Sequence, residues 1–205
     1  MANFATVAND TTIARTQAAL EANGFKVTVV NDGKAASQAA LRLIPKGAEV
    51  MTMTSKTLEA LGLDTLFNES GDYDAVRPKF LAAFGDPAKK DVVRKLGVAP
   101  AYAIGSVHAI TQDGHALIAS GTGSQLPAYL YGAGSVVWVV GAQKIVSDLQ
   151  EASDRLRQHV FPLEDARLKE VYGAGVQGSI NKEVAYHKEP AGRVHIIIVK
   201  EPLGF

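Results

Sequence analysis

Short apolar stretches recur along the chain, and the segments between them place apolar residues at helical spacing. Several of the stretches are rich in β-branched residues, which is typical of strands. Strands are predicted over residues 25–30, 48–53, 101–110, 115–119, 135–140, 183–187 and 193–200. Helices are predicted after residues 10–12, over 35–44, from about residue 57, through most of 72–97, over 125–131 and after 147–150.

This alternation of strands and helices predicts an α/β fold of three layers, with a largely parallel sheet flanked by helices. Residues Ser135–Val140 form a continuous apolar run, as expected of a central strand that is covered on both faces. The turn residues 112–114, Gln-Asp-Gly, predict a hairpin, so at least one strand pair is antiparallel. The 205 residues contain no repeat or linker, and we expect a single domain over residues 1–205.

Composition and charge exclude several classes of protein. Lys plus Arg and Asp plus Glu balance at 21 each, which argues against a nucleic-acid binder with a basic face. The absence of cysteine excludes disulfides, thiol catalysis and thiolate ligands for zinc or iron–sulfur clusters. The N-terminus does not resemble a signal peptide, and the longest apolar stretch, Val136–Val140, is too short for a bilayer. We therefore expect a cytoplasmic protein with no membrane contact.

The sequence contains no cofactor-binding or metal-binding motif with the structural context or the residue spacing that its function requires. Residues Gly173–Gly178 match GxGxxG, but they follow a predicted helix and precede no clear helix, which favours a loop over a dinucleotide site. The Walker A and GxSxG patterns do not occur. The five histidines lack the spacing of paired metal ligands, and His195 is expected to face a polar neighbour within a sheet. No cofactor and no metal are expected.

Three polar segments follow predicted strands, where parallel α/β folds commonly bind their ligands. The first is Thr52–Thr57, in which Ser55 and Thr57 offer hydroxyl groups beside the free N–H groups of a helix start. Lys56 adds a positive charge to this segment. Ser55 is thus a candidate ligand for a phosphate or carboxylate, and the alternative is that it only caps the helix.

The other two segments lie later in the chain. Residues Gly121–Gln125 contain two glycines that permit close approach of a ligand, together with the hydroxyl groups of Thr122 and Ser124. Residues Gly141–Lys144 follow the predicted central strand, and Lys144 could neutralise an anion or act as a base if burial lowered its pKa. The alternatives are a tight strand-to-helix turn in the first case and a solvated lysine in the second.

The acidic residues do not single out a catalytic base. Asp113 is explained as a turn residue, Glu59 as a surface helix residue, and Asp148 as a first-turn partner of the helix dipole. No pair of active-site carboxylates stands out, which argues against glycosidase chemistry. His108 is the weak candidate for an acid or base, so the residues leave open whether the chain is an enzyme.

Short motifs along the chain resemble those of the LUD (lactate-utilisation) family of LutC/YkgG-type proteins. They are Ser106-Val-His-Ala-Ile-Thr-Gln-Asp-Gly114, Gly121-Thr-Gly-Ser124 and Val136-Val-Trp-Val-Val-Gly-Ala-Gln-Lys-Ile-Val146. Residues 44–50, 55–58 and 192–205 are also similar to the family pattern. The motifs occur in the family's order, and the resemblance covers nearly the whole chain.

The resemblance implies a fold like that of the superfamily of ribose-5-phosphate isomerase, glucosamine-6-phosphate deaminase and the CoA-transferases. There a Ser/Thr-rich loop after an early strand often holds an anionic group, and Ser55 and Thr57 match that position. The resemblance also implies a link to bacterial lactate oxidation, beside iron–sulfur redox partner proteins. At the superfamily level it suggests a homodimer.

The expected pocket departs from the family pattern at several positions. His108 and Gln143 stand where many members have asparagine, Ser120 stands for an aspartate, Ser124-Gln125 for Asn-Arg, and Met53-Thr54 for Gly-Gly. The cysteine-bearing tail of many members is also absent. These differences predict either a ligand unlike that of the commoner members or a lost activity.

Two interpretations follow. In the first, the chain binds an anionic small molecule (a hydroxy acid, a sugar phosphate or an acyl-CoA-like compound) in lactate or organic-acid utilisation, with specificity set by Gln125 and His108. Its ligand-binding residues are then Ser55, Thr57, Gly121, Thr122, Gly123, Ser124, Gln125 and Lys144. In the second, it is a non-catalytic accessory subunit of a lactate-oxidation redox complex. The first interpretation requires these residues to converge on one cleft.

Overall fold

Two β-sheets organise the chain in a computed structural model, which describes residues 3–190 and 192–205. The helices are α1 Asp10–Ala22, α2 Gly33–Leu43, α3 Lys56–Ala60, α4 Leu63–Glu69, α5 Val76–Ala83, α6 Lys90–Lys95, α7 Leu149–Arg155 and α8 Phe161–Tyr172. The strands are β1 Lys26–Val30, β2 Glu49–Thr52, β3 Asp74–Ala75, β4 Tyr102–Gly105, β5 Ala109–Thr111, β6 Ala116–Ser120, β7 Ser135–Gly141, β8 Ile145–Val146, β9 Lys182–Tyr186 and β10 Val194–Val199. Residues Ala128–Gly132 and Leu156–Val160 form π-helical turns.

The larger sheet has six parallel strands in the order β1-β10-β7-β4-β2-β3. Strand β7 lies inside it, and its alternate residues enter two different hydrophobic cores. Val136, Trp138 and Val140 pack in one core, whereas Val137 and Val139 pack in the other. The predicted α/β fold with a largely parallel sheet is therefore confirmed. Strand β7 is covered on one face by α2 and α3, and on the other by α1 together with the smaller sheet.

The smaller sheet has four strands in the order β8-β5-β6-β9. Strands β5 and β6 are antiparallel and are joined across residues 112–114, which confirms the predicted hairpin. Strand β9 is antiparallel to β6, while β8 is parallel to β5. A third hydrophobic core, built around Ala152, Leu156 and Val160, packs α7 and the following turn against this sheet.

The single strand predicted over residues 101–110 is wrong in its extent. The chain leaves the larger sheet after Gly105 and joins the smaller sheet at Ala109, so β4 and β5 belong to different sheets. Both strands are apolar and buried. A local apolar pattern shows that a segment is buried, but it does not show which strand the segment pairs with. The crossing places residues 106–108 between the two sheets.

Other elements differ from prediction by small shifts at their ends. Helix α1 begins at Asp10, so residues 10–12, which were predicted to precede it, form its first turn. Its cap is the side chain of Asn9, which accepts a 2.9 Å hydrogen bond from the Thr12 amide. The helix predicted from about residue 57 is divided into α3 and α4 at Gly62, whose φ is +64°. Helix α7, predicted to follow residues 147–150, begins at Leu149, and the Asp148 side chain caps it by accepting a 2.9 Å hydrogen bond from the Glu151 amide.

The prediction for His195 is confirmed, since its Nε2 lies 2.8 Å from Thr28 Oγ1 on the neighbouring strand β1. Across residues 3–190 and 192–205, no helix has both the length and the apolar character needed to cross a membrane.

Candidate functional site

A cavity of about 500 Å³ opens where the two sheets meet. Its walls come from the ends of β2, β4 and β6 and the segments that follow them, which contribute residues 53–57, 106–108, 120–122 and 124–125. Helix α8 and the loop at residues 177–181 close another side. A cavity of this size matches the usual range for small-molecule sites.

Most of the residues singled out in the sequence line this one cavity. They are Ser55, Thr57, His108, Gly121, Thr122, Ser124, Gln125 and Lys144. Gly123 is the one predicted residue that does not line it. The structure thus brings the three polar segments together, as the first interpretation requires.

Lys144 lies at the end of a 3-10 turn, Ala142–Lys144, that follows β7. Only 2% of it is exposed, so it is not the solvated lysine of the alternative interpretation. Its Nζ donates to Thr57 Oγ1 at 3.2 Å, Ser106 Oγ at 3.1 Å and the Val107 carbonyl at 3.2 Å. All three partners are uncharged oxygens. Burial, together with the charge of Arg155, lowers the pKa of Lys144 to about 7.

Arg155 is a second buried cation beside the cavity, and it was not among the residues predicted from the sequence. It is fully buried, and its Nη1 donates a 2.6 Å hydrogen bond to the His108 carbonyl. Within the described part of the chain, its Nε and Nη2 have no hydrogen-bond partner. Burial lowers its pKa to about 10. Arg155 follows the buried Ala152 by three positions and therefore lies on the same face of the helix, which could have indicated its burial.

His108 is held in one neutral form. Its Nδ1 accepts a 3.1 Å hydrogen bond from the Ala119 amide, so the neutral ring carries its hydrogen on Nε2. Burial lowers the pKa of His108 to about 3, with further contributions from the positive charges of Lys144 and Arg155. In the ranges that the structure covers, Nε2 makes no hydrogen bond, and the ring lines the cavity. The ring therefore offers a donor to the cavity.

The segment after β2 combines both roles considered for it. Ser55 caps α3 by accepting a 3.4 Å hydrogen bond from the Leu58 amide, and it also lines the cavity. Thr57 is buried, and its Oγ1 donates to the Leu203 carbonyl at 3.2 Å while accepting from Lys144. Lys56 forms an ion pair with Glu59 and so contributes little net charge.

The glycine-containing loop is held mainly by its own polar groups. Ser120 Oγ accepts from the Gly123 amide at 2.8 Å and donates to Gln125 Oε1 at 2.8 Å. Gln125 Nε2 in turn donates to the Ala119 carbonyl at 3.3 Å. Thr122 and Ser124 stay exposed, so their hydroxyl groups are the ones that this loop presents to a ligand.

Three further residues that line the cavity were not predicted from the sequence: Ser106, Arg77 and Tyr129. Arg77 donates a 2.6 Å hydrogen bond to Thr54 Oγ1, and burial lowers its pKa. The Oη of Tyr129 occupies the space that a side chain at residue 105 would fill. Ser106 lies within a motif already quoted, but its position at the sheet crossing depends on the tertiary structure.

The acidic residues of the cavity wall are already paired. Glu59 is bonded to Lys56, and Glu164 forms two hydrogen bonds with Arg167, at 2.7 Å and 2.5 Å. Asp113 lies in its turn, where it accepts a hydrogen bond from Thr111, and Asp148 caps α7. The cavity wall, as far as the structure describes it, therefore holds no acidic side chain free to serve as a base.

Comparison with known proteins gives a family and a fold. A model of the LUD domain matches residues 13–199 of the chain. A protein of the DUF162 family from Deinococcus radiodurans has a similar structure, with a TM-score of 0.54 over 95% of this chain and 99% of that one. Because the two share 10% sequence identity, the likeness shows the fold alone. Comparison with curated proteins gives no match.

Proposed function

Because this chain belongs to the LUD domain family, we propose that it serves the utilisation of lactate or a related organic acid by binding a small anionic metabolite in the cavity between its sheets. Family membership supports the link to organic-acid utilisation. The ligand classes that fit are a hydroxy acid, a sugar phosphate and an acyl-CoA-like compound. The charges of the cavity support an anion.

The observation that carries the proposal is the uncompensated charge of Lys144. A buried ammonium group is costly unless an opposite charge is near, and uncharged oxygens are the three partners of this one. With a pKa of about 7, Lys144 is half protonated near neutral pH. An anion in the cavity would stabilise the protonated form, and that coupling is the source of the expected affinity.

Two further cations strengthen the same preference. The fully buried guanidinium of Arg155 lies behind His108, and Arg77 reaches the cavity from α5. Neither Arg155 nor Arg77 forms an ion pair with any residue in the described ranges. Since the two acidic side chains of the wall are already paired, the balance of side-chain charge around the cavity is positive.

Uncharged groups would then set orientation and specificity. The hydroxyl groups of Ser55, Thr122 and Ser124 line the cavity, and the neutral His108 ring offers its Nε2–H as a donor. A hydroxy acid or a sugar phosphate carries both an anionic group for the lysine and hydroxyl groups for these neighbours. The mixture of charge and hydroxyl groups favours such ligands over plain inorganic anions.

A thermal-shift screen tests the proposal. The purified protein is heated with lactate, glycolate, sugar phosphates and acyl-CoA compounds, and a ligand at a hundredfold excess over its Kd should add about 2.7 kcal/mol of stability. Lys144→Met should abolish the shift. Lys89→Met is the matched control, because this lysine is exposed and lies outside the cavity. An unchanged shift in Lys144→Met would contradict the proposal.

The alternative role is that of a non-catalytic accessory subunit of a lactate-oxidation redox complex, with iron–sulfur proteins as partners. The exposed apolar side chains of Leu81, Phe84 and Val92, around α5 and α6, favour a protein contact. No thermal shift with any anion, together with co-purification of a redox partner, would support this role. Size-exclusion chromatography would test the homodimer suggested by the superfamily.

A further inference from the structure

We propose that Ser106 and Lys144 form a nucleophile–base pair that transfers the acyl group of a small ester or thioester to water. The inference rests on the proposed function, because it assigns to the same cavity an acyl derivative of an organic acid as substrate. It adds a reaction and a nucleophile that the binding role does not require. Ser106 would be a catalytic residue, because its hydroxyl group would attack the substrate.

The topology brings the two side chains together. Strands β4 and β7 are parallel neighbours, with Gly105 paired to Trp138. Ser106 directly follows β4, and Lys144 follows the end of β7 by one short turn. Their side chains meet with 3.1 Å between Ser106 Oγ and Lys144 Nζ. Ser106 keeps part of its surface open to the cavity, so its Oγ can reach a bound substrate.

A count of hydrogens shows which partner faces the lysine lone pair. A neutral amine has two N–H donors and one lone pair, and Lys144 has three partners. The Val107 carbonyl can only accept. Thr57 Oγ1 has two acceptors within reach, the Leu203 carbonyl at 3.2 Å and Ser106 Oγ at 3.4 Å. With its hydrogen on the nearer one, Leu203, it accepts from Lys144. The protonated lysine donates to all three oxygens, and the Ser106 hydroxyl then has the Val107 carbonyl, at 3.4 Å, as its acceptor. In the neutral lysine the lone pair faces Ser106 Oγ at the shorter distance of 3.1 Å, so we infer that the hydroxyl hydrogen turns from the carbonyl to the amine, as activation of a serine requires.

The surroundings of Lys144 favour the neutral amine that a base must be. The group is buried, its three partners are uncharged, and the nearby Arg155 opposes a second positive charge. Its pKa of about 7 follows from these features, with burial as the largest cause. A base whose pKa is near the working pH is the most effective one.

His108 supplies a donor for the developing charge. Its ring lines the same cavity two residues after Ser106, and the Ala119 amide fixes the hydrogen on Nε2. A neutral N–H donor of this kind stabilises the oxyanion formed when a nucleophile attacks a carbonyl group. His108 would thus polarise the substrate while Lys144 moves the proton.

The reaction balances with water as the second substrate. Ser106 Oγ bonds to the acyl carbon and its proton passes to Lys144 Nζ. The bond from the acyl carbon to the leaving oxygen or sulfur breaks, and the leaving group takes that proton. Water then gives a proton to Lys144 and bonds to the acyl carbon, the bond to Ser106 breaks, and the proton returns to Oγ. One carboxylic acid and one alcohol or thiol are released.

The substrate and the product would meet different forms of the lysine. An ester or thioester carbonyl approaches the neutral amine, whereas the carboxylate product favours the protonated amine. The pair therefore agrees with anion binding in the same cavity.

Covalent labelling tests the pair directly. The full-length protein is incubated with a fluorophosphonate probe, and the adduct is located by peptide mass spectrometry. We expect the adduct on Ser106, with a rate that rises with pH and is half-maximal near 7, because the base must be unprotonated. Ser106→Ala should remove the adduct. Lys144→Arg, which keeps a positive charge but cannot act as a base, should slow labelling roughly 100-fold or more.

Ser37→Ala is the matched control, since Ser37 is a partly buried serine whose hydroxyl donates to the Gly33 carbonyl and which lies outside the cavity. It should leave labelling unchanged. The proposal is overturned if Ser106 takes no adduct, or if labelling in Lys144→Arg keeps the native rate. If Lys144→Arg does not fold, a labelling rate that shows no rise around pH 7 in the native protein overturns it equally.

Substrate turnover separates this inference from the binding role. Short-chain p-nitrophenyl esters and acyl-CoA thioesters should be hydrolysed by the native protein and not by Ser106→Ala. The thermal shift with organic anions should persist in Ser106→Ala, because Lys144 is retained. If the native protein shows the thermal shift but neither labelling nor hydrolysis, the nucleophile–base pair is overturned and the binding role is kept. If the native protein shows no thermal shift with any of the anions, the binding role is overturned too.

Discussion

The carbonyl oxygen of His108 accepts a 2.6 Å hydrogen bond from the guanidinium group of Arg155, which is fully buried. This contact fixes the backbone at the crossing between the two sheets. It also holds a positive charge close enough to lower the pKa of both His108 and Lys144. Arg155 on α7 thus both holds the backbone at His108 in place and lowers the pKa of two side chains that line the cavity.

Arg155→Met should raise the pKa of Lys144 above 7, because it removes a positive charge that lowers this pKa. Anion binding favours the protonated lysine, so it should persist to higher pH in the variant than in the native protein. Calorimetric titration with the anion found in the thermal-shift screen, repeated across pH 6–9, would measure the midpoint. Arg94→Met makes the same change of charge at an exposed position outside the cavity and should leave the midpoint in place.

Lys144 should make stability rise with pH above neutrality. Its pKa is about 7 in the folded chain and near the ordinary 10.5 when unfolded, so the unfolded chain binds more protons between these values. The free energy of unfolding should therefore increase through this window, by up to about 1.4 kcal/mol per pH unit from this group. Urea denaturation at several pH values measures the slope. Lys144→Met should flatten it and Lys89→Met should not; an equal slope in both variants would contradict the assignment.

The His108 ring should stay neutral, with its hydrogen on Nε2, down to about pH 4. Its pKa is lowered to about 3, and the Ala119 amide donates to Nδ1. Nitrogen-15 NMR of the imidazole side chains distinguishes this tautomer, and loss of the signal in His108→Asn assigns it. Protonation of this ring between pH 5 and 7 would show that Lys144 and Arg155 do not act on it as the structure indicates.

Gly105→Ala should destabilise the fold by about 1–3 kcal/mol, because the new Cβ would lie 1.9 Å from the Oη of Tyr129. The double variant with Tyr129→Phe should recover part of the loss, since the clashing oxygen is then gone. Gly175→Ala is the matched control, as its Cβ meets nothing within 4 Å. Denaturant unfolding gives all the free energies, and equal losses in Gly105→Ala and Gly175→Ala would show that Tyr129 has no such contact.

The sequence by itself determined the α/β class, most of the elements and the family resemblance. The apolar run of β7 and the Gln-Asp-Gly turn are local signals, because burial on both faces and turn geometry each depend on a few adjacent residues. The same local logic identified Ser55, Gly121 and Lys144 as candidates, since each follows a predicted strand.

Only the tertiary structure decided how those candidates are arranged. The sequence left Lys144 either solvated or buried, and the choice depended on packing against Thr57 and Ser106, which lie 87 and 38 residues away in the chain. The sequence also did not indicate that residues 101–110 divide between two sheets, and this division places Ser106 at the cavity. Contacts between residues so distant in sequence do not appear in the local hydrophobic pattern. The burial and the pKa of a side chain are set by the groups that the completed fold brings into contact with it.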